Sequence, residues 1–259
     1  RKEPDSVEVN GVAFVEFAAS ADEAEDLASL LRVLGFRKTG KHRTKRVDRY
    51  SQGAINLVIN TERQGFAHSS HAVHGMSAYA LGLDVADAHA AFERALALGA
   101  APFEQPAGPS GISMPAVRGV GGDILYFVDN KPGLAGIWDE EFDPVDDAGA
   151  SGGAGLLRFD HVAQTMNFDE MLTWLLFYTS ILKAKKTPVV DIIDPSGIVR
   201  SQVVENEAGS LRITMNGAEN RRTLAGHFLA EKFGSSMQHL AFETDDIFRT
   251  AEVLRALFL

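Results

Sequence analysis

Two hydrophobic periods alternate along this chain, and their order repeats. Residues 12–17 alternate as a strand does. Residues 22–34 then carry Ala24, Leu27, Ala28, Leu31 and Leu34 at helical spacing. Ser20 or Asp22 is placed to cap that helix and Gly35 to end it. Short strands are predicted at 43–50 and 54–60, about Gln52-Gly53. The same order returns with a strand at 77–85, a helix at 86–98 ended by Gly99, and strands at 114–120 and 124–128 joined by Gly121-Gly122-Asp123. Leu34-Gly35-Phe36 and Leu98-Gly99-Ala100 mark equivalent points of an internal repeat.

The pattern lapses and then restarts. Residues 131–155 carry Asp139-Glu140-Glu141, further aspartates and a glycine-rich run, a composition in which like charges repel and ordering costs entropy. They are predicted to be a linker between domains at 1–130 and 156–259. Beyond it come strands at 159–165, 199–205, 211–216 and 236–243, with helices at 168–182 and 246–257, the first with Asn167 as N-cap. Residues 1–10 are polar and predicted to be loose. Strand–helix–strand units in tandem make this an α+β chain: two complete units, then one complete unit and the opening of another.

Composition narrows the function. Net charge is −10, which disfavours nucleic acid and anionic membranes as partners. Cysteine is absent, so disulfides, thiolate metal sites and cysteine nucleophiles are excluded, and a metal would need histidine, carboxylate, amide or water. The longest apolar stretch, 171–182, is interrupted by Thr173, Thr179 and Ser180 and falls short of the roughly 20 residues of a membrane span. With no signal peptide read at the start, a cytoplasmic protein is expected. A start at Arg1 without methionine and an end at Leu259 inside a helical pattern suggest a fragment.

Two histidines occupy matching contexts, His161 in Arg158-Phe159-Asp160-His161-Val162-Ala163-Gln164 and His239 in Ser236-Met237-Gln238-His239-Leu240-Ala241-Phe242. By default a histidine in an apolar strand is a satisfied core residue. The repeated context points instead to one ligand from each of two units, shared by one metal ion. Strict alternation puts Phe159, His161 and Ala163 on one face, His239 with Ala241 and Glu243, and Gln238 on the opposite face from His239. The corresponding strands of the first half carry Val15 and Ala80 at these positions, so that half reads as structural.

Several other groups are discounted. His68, His71 and His74 read as a solvated loop, and His42 and His89 as surface; no role is assigned to His227. Lys38, Lys41, Arg43, Lys45, Arg46 and Arg49 read as a solvated strand face, and Trp174 and Phe177 as core.

Asp160-His161-Val162, Gln238-His239-Leu240-Ala241 with Asp245-Asp246-Ile247, Arg200-Ser201-Gln202-Val203-Val204 and the opening 11–18 resemble, in order and spacing, 4-hydroxyphenylpyruvate dioxygenases. These are two-domain members of the vicinal oxygen chelate superfamily. The resemblance implies tandem βαβββ modules forming two open β-cups, the second truncated here. It implies metal ligands His161 and His239, with a third, a glutamate, on a strand beyond Leu259. It implies that Ser201, Asn216 and Gln238 contact a bound 2-oxo acid. The implied metal is Fe(II), with Mg, Mn or another divalent cation as alternatives; the implied chemistry is oxidative decarboxylation and ring hydroxylation with oxygen. A homo-oligomer is expected. The run 216–227 departs from stand-alone dioxygenases and looks like the C-terminal half of bacterial bifunctional 3-dehydroshikimate dehydratases. Three functions follow: a dioxygenase module fused or alone, a catalytically silent metal-binding module that stabilises or oligomerises a fused enzyme, or a ligand-binding protein without redox chemistry.

Overall fold

The sequence repeat becomes a repeat of strand pairings. The computed structural model describes residues 4–106, 108, 110–146 and 153–257. The first part runs β1 (Val9–Ala18), α1 (Ala21–Val33), β2 (Arg37–His42), β3 (Val47–Gln52), β4 (Ile55–Asn60), α2 (Gly65–His74), β5 (Ser77–Val85), α3 (Ala88–Ala97), β6 (Ala116–Arg118), β7 (Ile124–Val128), α4 (Ile137–Glu141) and β8 (Phe142–Pro144). The second runs β9 (Leu156–Asn167), α5 (Phe168–Ile181), β10 (Lys185–Lys186), β11 (Val190–Asp194), β12 (Gly197–Glu205), β13 (Arg212–Ala218), α6 (Leu224–Glu231), β14 (Ser236–Thr244) and α7 (Ile247–Leu257).

One sheet has the order β6-β7-β5-β1-β4-β3-β2-β8; the other runs β10-β12-β13-β9-β14, with β11 also on β12. In the first, β1 lies parallel to β4 and antiparallel to β5. In the second, β9 lies parallel to β13 and antiparallel to β14. β14 therefore stands to β9 as β5 does to β1; the β1/β5 pair is internal to its sheet, while β14 ends the second sheet among the described residues. Among the described residues no helix is long and apolar enough to cross a membrane.

Local chemistry explains the helix starts. Ser20 Oγ accepts from the Glu23 amide at 3.3 Å, and Glu23 Oε2 accepts from the Ser20 amide at 2.8 Å, a capping box. These bonds, chiefly the backbone one, hold the Glu23 carboxyl down at about 2. A depressed carboxylate stabilises the fold above its ordinary value and loses that contribution as pH falls toward the folded value. Glu23→Gln is therefore expected to cost about 0.5–1 kcal/mol at pH 7, allowing for solvent screening. In urea melts the gap should close as pH drops from about 4.5 toward 2; an equal gap at both ends would remove the charge from the explanation.

The helix-facing sides of the two sheets share one core. It joins Val15, Leu57, Leu81 and Phe127 to Val162, Met166, Tyr178 and Met215. Phe36 is fully buried and its ring lies 5.6 Å from that of Phe242, which lies 5.5 Å from Phe159. Near the start of the chain, Val7 is buried, and its carbonyl accepts from the Lys183 amide at 2.9 Å. Residues 4–10 are thus tied to the second part rather than loose. Gly121 has φ 66°, and a Cβ there would lie 1.7 Å from Ser235 O, so the turn before β7 touches the chain just before β14.

The expected linker at 131–155 is corrected over much of its length. Residues 137–144 form α4 and β8, and β8 pairs with β2, so the first sheet extends past residue 130. Ile137, Glu141 and Phe142 are buried there. The net acidity concealed an apolar side on which Ile137, Trp138 and Phe142 pack. Residues 147–152, which hold part of the glycine-rich run, lie outside the described residues. β2 and α6 fall where the sequence pattern led to no assigned element. His68, His71 and His74 are on helix α2, not in a loop: His71 Nε2 pairs with Glu23 Oε2 at 2.6 Å. Two of the basic residues of β2 and β3 are engaged, Lys38 with Asp48 at 2.6 Å and Arg49 over the Trp138 ring at 4.3 Å.

Candidate functional site

The second sheet's pair of first strands, β9 and β14, carries both candidate histidines. Met237 pairs with Gln164 and His239 with Ala163, so Gln238 has no opposite residue. Ala241 pairs with His161 and Phe242 with Phe159, so Asp160 likewise has none. These are β-bulges, which break strict alternation and re-aim side chains. Gln238 is consequently on the histidine side of the sheet, where its Oε1 accepts from Thr165 Oγ1 at 2.9 Å. That bond leaves the amide hydrogens of Gln238 for an occupant of the face. Phe159, expected to share a face with His161, instead packs on Phe242 in the core. Both corrections come from an extra residue per strand, which periodicity alone does not register.

The rings of His161 and His239 lie 5.5 Å apart at 81°. Two imidazoles bonded to one ion at roughly 2.0–2.1 Å per nitrogen place their ring centres about 4.5–5.2 Å apart for right to tetrahedral angles, so the observed spacing is within a few tenths of an ångström. His161 Nδ1 meets Asp160 Oδ2 at 2.7 Å, which leaves Nε2 to face outward. Asp160 in turn accepts from Arg212 at 2.8 Å. The His161 bond, then the Arg212 charge, holds the Asp160 carboxyl below its ordinary value. Partial burial, then the neighbouring His161, pulls the His239 imidazole below its ordinary value and favours the neutral, ligating form.

Neighbouring strands complete the face. Ser201 on β12 pairs with Asn216 on β13, and Asn216 pairs with Thr165 on β9, so these residues stand in one row across the sheet. Ser201, Asn216 and Thr165 are buried, and Asn216 Oδ1 has no hydrogen-bond partner among the described residues. A buried amide oxygen without a donor is costly, and on a face of this kind it marks a place for one. Among the described residues no group of three histidines, aspartates or glutamates is arranged to hold a metal. The structure thus brings His161, His239, Gln238, Asn216 and Ser201 to one face and supplies two imidazoles, not a complete ligand set.

The first sheet presents a different interior. Its concave side is packed with Phe14, Tyr79, Tyr126 and Phe142 around a cavity of about 110 Å³. Glu16, His42, Lys45 and Glu141 line it. His42 is buried, not on the surface as expected. The one advance sign was Glu16, an acid inside an otherwise apolar strand pattern.

Residues 4–143 match the family model for the N-terminal part of hydroxyphenylpyruvate dioxygenase. A 4-hydroxyphenylpyruvate dioxygenase of Pseudomonas sp. (strain P.J. 874) is 32% identical over 253 residues, covering 95% of this chain and 69% of the relative. This chain belongs to the 4-hydroxyphenylpyruvate dioxygenase family. Its two open sheets of strand–helix–strand modules are the vicinal oxygen chelate fold of that family. A 3-dehydroshikimate dehydratase of Pseudomonas putida is 39% identical over 253 residues, covering 98% of this chain but 39% of the relative. A solved structure described as a xylose isomerase-like TIM barrel/4-hydroxyphenylpyruvate dioxygenase fusion protein superposes with TM-score 0.81 at 34% identity, covering 99% of this chain and 40% of that one. The chain spans about two fifths of the length of these dehydratase and fusion relatives.

Proposed function

We propose that this chain supplies the two-histidine part of a divalent-metal site that binds a 2-oxo acid, within a longer protein that also carries a 3-dehydroshikimate dehydratase part. The observation that carries it is the pair of imidazoles 5.5 Å apart on the sheet face that also holds Asn216, whose Oδ1 has no hydrogen-bond partner among the described residues. His161 and His239 would hold the ion, Fe(II) by family likeness, with a carboxylate from outside the described residues as third ligand. The ion would supply the redox chemistry that oxygen activation needs. The chain's own part is positional. Asp160 fixes the His161 ring through Nδ1, and Arg212 fixes Asp160. Ser201, Asn216 and the Gln238 amide offer uncharged polar groups that orient an oxo acid without competing for the metal. The buried row Thr165–Asn216–Ser201 keeps those groups at fixed heights above the sheet.

The test is oxygen uptake by the full-length protein loaded with Fe(II) and given 4-hydroxyphenylpyruvate. Uptake that depends on the keto acid supports a dioxygenase. A second reading is a metal-binding, catalytically silent module that steadies a fused dehydratase; the higher identity to the dehydratase supports the fusion both readings assume, and the lack of a three-group ligand set among the described residues favours the silent one. Iron bound at one per chain without uptake would establish that second reading over the first.

A further inference from the structure

The cavity of the first sheet holds groups that the proposed metal site leaves unused. Glu141 is buried, and its Oε2 has no hydrogen-bond partner among the described residues, while its Oε1 accepts from the Ser110 amide at 3.1 Å. His42 is also buried, and its Nδ1 accepts from the amides of Thr44 and Lys45, both at 3.2 Å. Those two bonds fix the tautomer with the proton on Nε2, because a nitrogen that accepts carries none. Nε2 then lies 3.4 Å from Glu141 Oε2. The two are close without forming a hydrogen bond, and one small oxygen at about 2.8 Å from each would satisfy both. That oxygen must donate to the carboxylate and accept from the ring N–H, as a hydroxyl does.

The rest of the cavity suits what such a hydroxyl would be attached to. Phe14, Tyr126, Met114 and Trp138 supply apolar wall. Across from them Glu16 accepts from Tyr79 Oη at 2.6 Å and Asn60 Nδ2 at 2.8 Å, both on Oε1, which leaves Oε2 for the cavity. Burial pushes the Glu16 carboxyl above its ordinary value, so it can carry a proton and donate. Lys45 also lines the space. About 110 Å³ is several times the room one water needs and approaches the roughly 150 Å³ that takes benzene.

We propose that the first sheet's concave side is a second small-molecule site, for a neutral hydroxylated aromatic ring whose hydroxyl seats between Glu141 Oε2 and His42 Nε2. It is independent of the histidine pair on the second sheet and of any metal held there.

Trp138 lines this cavity and is one of two tryptophans, the other, Trp174, being on α5. In the full-length protein, phenol and catechol are titrated against fluorescence, with the same protein carrying Trp138→Phe as the blank so that the Trp138 signal is read as the difference, and with toluene as the ring lacking a hydroxyl. Saturable quenching by phenol or catechol is expected, with toluene weaker by about tenfold or more, since a hydrogen bond to a charged group is lost. Glu141→Gln should weaken phenol by a similar factor. If that variant misfolds by circular dichroism, Val58→Phe, which fills the cavity from β4, serves instead and should abolish binding. His239→Ala should leave it unchanged. Absence of saturable binding, equal affinity in the variants, or loss of binding on His239→Ala would each overturn the site. So would a high-resolution structure from catechol-soaked crystals that holds only water between Glu141 and His42.

Discussion

Replacing His239 by alanine is expected to abolish the metal binding proposed for the full-length protein and to leave it folded. The side chain is exposed on the open face, so its loss removes no core packing. The backbone pairing of residue 239 with Ala163 is indifferent to the side chain. Loss of a direct ligand should cost more than the roughly 10- to 100-fold in affinity that loss of an outer partner costs. Asp160→Asn provides that comparison, because Asp160 bonds His161 Nδ1 and is not itself proposed as a ligand. After dialysis against a weak chelator, metal per chain by plasma emission should fall to background for His239→Ala and stay measurable for Asp160→Asn. Unchanged metal content in His239→Ala would sink the two-histidine site, and with it the proposed function.

Phe36→Ala is expected to destabilise the chain by about 3–5 kcal/mol, the usual cost of emptying a fully buried aromatic site. Phe36 belongs to the first part, just after α1, yet its ring packs on Phe242 of β14, which packs on Phe159 of β9. The cavity would open beneath the two strands that carry His161 and His239. Urea unfolding should show one transition moved to lower denaturant with both halves melting together, since their helix-facing sides share one core. Two separate transitions, with only the first displaced, would mean that the halves are energetically independent. Retained stability would mean that neighbouring side chains collapse into the space.

Much of the architecture was legible beforehand because it depends on local periodicity. The strand at 77–85 and the strand at 124–128 coincide with β5 and β7, and the helix at 22–34 is displaced by one residue at either end. The capping role of Ser20 follows from residue type and spacing alone. The linker was misread because composition weighs charge and glycine but not direction: the apolar residues of 137–142 face the sheet while Asp139 and Glu140 face away. His42 was misread because a histidine beside Gly40 and among lysines has no local sign of burial; Glu141, which faces it, is far away in sequence.

For the candidate site, residue identities and their strand order were set by sequence: histidines at 161 and 239 in equivalent strands, with Ser201, Asn216 and Gln238 on or beside their neighbours. Which side of the sheet each occupies was decided by the tertiary structure alone. The bulges at Asp160 and Gln238 arise where β9 and β14 accommodate each other over their length, so they are properties of the pair and not of either strand. The same holds for the unpartnered oxygens of Asn216 and Glu141, because whether a polar atom lacks a partner depends on everything folded around it. Period and residue type are local and can be read along the chain; register and satisfaction of buried polar groups exist only once distant segments meet.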